Sequence, residues 1–93
     1  MKSAYELAME RLKGGTPSAP LSKAQRGELA ELDAVYQARV AEKDLAMQAA
    51  VAGLLAQGDE EQANAARARF VAEKQELLQE LESRKDAVRH PGR

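Results

Sequence analysis

The stretch Leu54-Leu55-Ala56-Gln57-Gly58-Asp59-Glu60-Glu61-Gln62-Ala63 decides the fold, because it holds a helix stop and a helix start back to back. Gly58 is a natural C-cap for a helix arriving from the N-terminal side. Asp59 is a natural N-cap for a helix leaving it. Gln62 stands at the third helical position, and Glu60 and Glu61 suit the positive end of the new dipole. Two long helices joined by a Gly-Asp turn follow. The competing arrangement is one unbroken helix from Ser22 to Arg89 with Gly58 tolerated inside it.

The apolar pattern decides between the two. If the chain reverses at residues 58 and 59, facing residues have numbers adding to about 117. Leu54 then faces Ala63, Val51 faces Ala66, and Met47 faces Phe70. Farther from the turn, Val40 faces Leu77, Tyr36 faces Leu81 and Leu29 faces Val88. Every one of these pairs is apolar, and small residues oppose larger ones near the turn, so the hairpin is preferred. Lys43 with Lys74 is the exception, a polar pair expected mid-seam. Their stems can lie along the seam while the ammonium groups reach Glu42, Glu73 or Glu76. Both lysines belong to a VAEK segment, residues 40–43 and 71–74. Ala, Glu, Lys and Val are common in helices, so chance is preferred to internal duplication.

Spacing within each helix adds a second constraint. Leu29, Val40 and Val51 are 11 residues apart, as are Ala66, Leu77 and Val88. Such a repeat corresponds to about 3.67 residues per turn and favours nearly straight helices. The expected fold is all-α: an antiparallel two-helix hairpin, coiled-coil-like with an 11-residue repeat, preceded by a short N-terminal helix. The hairpin spans residues 22–90, opening on a capping box of Ser22 and Gln25 and closing before a 91–93 tail. Residues 1–13 form a short amphipathic helix with its own capping box, Ser3 and Glu6. Residues 14–21, beginning Gly-Gly-Thr-Pro-Ser-Ala-Pro, form a flexible linker. Its first seven residues reach at most roughly 23–25 Å when extended.

Composition narrows the function classes. Of 93 residues, 19 are alanine, none is Ile or Trp and one is Phe, which suits narrow helix-helix seams and not a thick core. The formal charge of -1 provides no global attraction to nucleic acid or an anionic membrane. The chain has no Cys, one His, no glycine-rich phosphate loop and no HxxxH or ExxH spacing. A two-helix hairpin also provides no concave pocket in which pKa values shift. Enzyme activity, cofactors, metals and small-molecule substrates are therefore not expected. Met1 to Glu6 lacks the apolar core of a signal peptide. The most apolar window, residues 45–56, is too short for a membrane span. A cytoplasmic location is the default expectation.

That apolar window carries the clearest functional signal. Met47, Val51 and Leu54 face the seam, while Leu45, Ala49, Ala52 and Ala56 lie on the opposite side of the same helix. Leu55 is a further large apolar residue there, and Val71 and Leu78 make a minor stripe on the second long helix. One partner helix cannot cover all of these. An isolated hairpin also buries too little to offset the ordering of some 70 residues. The expected partner is another copy of the chain, as a homodimer or higher oligomer, another protein, or both. Leu45, Leu55, Val71 and Leu78 would carry association, and Tyr5, Met9 and Leu12 would dock on a partner or on the hairpin itself. Arg84, Lys85, Arg89 and Arg93 make a basic C-terminal end. Without an interleaved aromatic residue it is more simply a dipole-matched helix terminus than a nucleic-acid contact.

Overall fold

The computed structural model describes residues 3–5 and 20–92. Two helices dominate: α1, Lys23–Ala56, and α2, Glu60–Arg89. They pack against each other as a hairpin, so the chain reverses at the expected turn. Ala4 and Tyr5 are helical, but the rest of the expected N-terminal helix, with Met9 and Leu12, lies outside the described residues. The linker from Gly14 to Ala19 lies outside them as well.

Local chemistry fixes each helix end. Ser22 caps α1 through a reciprocal pair, in which the Gln25 amide donates to Ser22 Oγ (3.0 Å) and the Ser22 amide donates to Gln25 Oε1 (2.8 Å). At the turn, the capping residue of α1 is Gln57, and Gly58 follows at φ +77°. The Asp59 amide donates to the Leu54 carbonyl (2.9 Å) and the Gly58 amide to the Leu55 carbonyl (3.0 Å), which makes this a Schellman ending. Asp59 Oδ1 then accepts from the Gln62 amide at 3.0 Å and opens α2.

The glycines therefore differ in kind. Gly53 lies in α1 with open space where a Cβ would stand, whereas Gly58 occupies the left-handed region. Gly53→Ala is expected to raise the melting temperature, and Gly58→Ala to lower it. Each effect is worth about 1 kcal/mol, or roughly 4–8 °C for a domain of this size. Thermal melts followed by circular dichroism test the opposite signs. Equal shifts in the same direction would contradict the turn geometry.

All twelve seam residues expected from the sequence are buried or half-buried. Tyr36, Val51 and Ala63 are the most deeply covered. Cross-hairpin ion pairs follow the same register to within one residue: Lys85 Nζ lies 2.9 Å from Asp33 Oδ1, and Lys43 Nζ lies 3.2 Å from Glu73 Oε2. The mid-seam lysines keep their stems beside the seam, and Lys43 reaches Glu73, one of the expected carboxylates. Both are exposed, and they line different grooves, Lys43 beside Met47 and Phe70, Lys74 beside Val40 and Leu81. Flexible four-carbon stems let each ammonium leave the seam for water or a carboxylate, so no charge is buried between the helices.

The open end of the hairpin is held by a bond that no periodicity reveals. Gln25 Nε2 donates to the Val88 carbonyl at 2.9 Å, bridging the start of α1 and the end of α2. Val88 is in the last turn of α2, where carbonyls lack intrahelical donors. One glutamine thus caps its own helix with its oxygen and clips the other helix with its nitrogen.

Candidate interaction surface

A two-helix hairpin has two broad sides, and the grooves on them are distinguished by their lining. One side carries a groove between Lys43, Met47, Ala50, Arg69, Phe70 and Glu73. Helical geometry places a second groove, lined by Glu28, Leu32, Val35, Arg84 and Val88, on that same side. The opposite side carries a groove of about 410 Å³ lined by Asp33, Tyr36, Gln37, Val40, Lys74, Leu78 and Leu81.

The expected association residues divide between these surfaces. Leu78 lines the Tyr36 groove directly. Val71 lies two turns before Leu78 on the same flank of α2. Leu55 continues the line Asp33, Asp44 at 11-residue steps, three turns each, so it stands on the Tyr36 side near the turn. All three are at least 43% exposed. Leu45 is 67% exposed but lies about 80° around α1 from Leu55, on the outer edge of the hairpin. Ala38, Ala49, Ala52 and Ala56 are exposed along that edge with it. Tyr5 is exposed, and its position says nothing of Met9 and Leu12, which lie outside the described residues.

Two features of the Tyr36 groove go beyond what the sequence pattern predicts. Tyr36 is only 2% exposed, and its hydroxyl has no hydrogen-bond partner among the described residues. Buried hydroxyls are normally satisfied, because an unmade bond costs about 1–3 kcal/mol. The Arg39 guanidinium lies 4.8 Å from the centre of the same ring, a cation-π contact that covers it from one side. Three-residue spacing along α1 is the signal in the sequence for the Arg39 contact. The orphan hydroxyl has no sequence signal.

The basic end is already engaged with carboxylates. Arg84 lies 3.3 Å from Glu80, Lys85 is bonded to Asp33, Arg89 lies 3.1 Å from Glu82, and His90 Nε2 is 3.7 Å from Asp86. Arg93 lies outside the described residues. Comparison with known families, curated proteins and solved structures finds no match. Among the described residues no helix is long and apolar enough to cross a membrane.

Proposed function

We propose that the chain is a small, non-enzymatic, cytoplasmic helical interaction protein that self-associates and serves as a scaffold, adaptor or subunit of a larger assembly. The observation that carries this reading is the exposure of Leu55, Val71 and Leu78 on the side that holds the Tyr36 groove. Apolar side chains aligned along one side of a thin hairpin have no core of their own to enter, and association removes them from water. Leu45 on the outer edge of α1 stays accessible when two hairpins pair through the groove, so it is the contact left for a different protein. Arg84, Lys85 and Arg89 are each held by a carboxylate, which does not favour nucleic acid.

Light scattering of three proteins tests the reading. The parent chain and Leu45→Glu are expected to be dimers or larger, and Leu55→Glu/Leu78→Glu to be a monomer, since two charges would enter the apolar contact. A monomeric parent chain would refute self-association.

A further inference from the structure

Resting on the self-association reading, we infer how the second copy sits: its turn lies at the same end as the first, and each α1 packs against the partner's α2. The two-fold axis then runs parallel to the long axis of the hairpin.

Charge placement on the grooved side carries this inference. From Asp33 to Leu55, the half of that side contributed by α1 carries two acids, Asp33 and Asp44, which are one 11-residue repeat apart. The two bases of α1 in this stretch, Arg39 and Lys43, point elsewhere: Arg39 over the Tyr36 ring and Lys43 to Glu73 on the opposite side. Arg26 lies nearer the open end, level with the end of α2. The half contributed by α2 is basic. Lys74 and Lys85 are also one repeat apart, and Arg67 and Arg89 stand on the line of Leu78. Glu60 and Glu82 stand on the line of Val71, one repeat to either side of it, and Glu82 is bonded to Arg89, so four bases against two acids leave this half net basic.

Within one chain this pattern is half used. Lys85 pairs with Asp33 at 2.9 Å. One repeat closer to the turn, in the same register, Asp44 accepts a side-chain amide from Gln48 (3.1 Å) and no cation among the described residues. Lys74 has no carboxylate of the described residues within ion-pair distance. With turns together, the partner's Lys74 stands level with Asp44 and the partner's Lys85 level with Asp33. With turns at opposite ends, α1 lies on α1 and α2 on α2. The acids of α1 then face acids, and the net-basic half of each α2 faces its like. Like charges across an interface are selected against, and opposite charges fix register.

Area agrees with a second copy as the occupant. The side of a hairpin about 45 Å long and 18–20 Å wide presents roughly 800–900 Å², which matches the share of each partner in a standard stable interface. Tyr36 lines the same groove, with its hydroxyl buried beneath the surface and without a partner among the described residues.

The chain has no cysteine, so Gln57→Cys places a single spin label at each turn. Pulsed electron resonance on the dimer is expected to give a label separation below about 30 Å. Turns at opposite ends would put the labels about 50 Å apart, the length of α1. A separation near 50 Å on a dimer overturns the arrangement and leaves self-association standing. A monomer, including one whose groove is filled by its own N-terminal segment, overturns both. In a second arm, Lys74→Glu is expected to weaken association roughly five- to tenfold, and adding Asp44→Lys to restore it. Failure of the double variant to restore association overturns the pairing of Asp44 with Lys74.

Discussion

Ala63→Leu is expected to lower the melting temperature by roughly 10–20 °C, the effect of about 2–3 kcal/mol on a domain this small. Ala63 is fully buried, at 0% exposure, in the first turn of α2. It stands opposite Leu54, whose carbonyl is bonded to the Asp59 amide in the Schellman ending. Only Gln57, Gly58 and Asp59 join the two helices there. The backbones cannot spread to admit a larger side chain without breaking the bonds that form the turn. Leucine is nearly as good a helix former as alanine, so the loss would come from overpacking and not from propensity. Ala65→Leu, two residues on at an exposed position, is the control and is expected to leave stability almost unchanged. If denaturation by heat finds Ala63→Leu as stable as the control, the turn is not close-packed.

Ala63 also illustrates how far the amino-acid sequence alone reaches. Its partner follows from one assumption, a reversal at Gly58-Asp59, and the same assumption places Val51, Phe70 and Leu81. Seam positions are legible because burial imposes a period, and a period leaves a trace in every turn. Single long-range bonds leave none. The Gln25 clip to the Val88 carbonyl depends on where one side chain reaches after the register is set. Lys43 and Lys74 share a level on the seam, but the level alone does not say on which side each stem leaves it. The association residues are legible only in part, for the same reason. The pattern marks Leu45, Leu55, Val71 and Leu78 as exposed, yet a wheel drawn around one helix does not show which of them share a side of the finished hairpin. Both helices together are needed for that, and they separate Leu45 from the other three.

Tyr36 is the position where stability and association can be measured against each other. Tyr36→Ala removes the largest fully buried side chain among the described residues, together with the ring that Arg39 covers. A loss of about 3–5 kcal/mol is expected, enough to unfold a hairpin with so small a core. Tyr36→Phe keeps the ring and removes only the hydroxyl. In a dilute monomer that hydroxyl is buried without a partner, so its removal is expected to stabilise the fold by about 1–3 kcal/mol. If a partner seated on the groove opens its wall and reaches the hydroxyl, the dimer gains a bond that phenylalanine cannot make. The two states therefore respond with opposite signs, and concentration selects between them. Melting of both proteins across a hundredfold range of concentration should show the phenylalanine variant ahead when dilute, with its advantage shrinking or reversing as association sets in. A constant advantage at all concentrations would mean that the hydroxyl stays orphaned in the assembly and that no partner group reaches it.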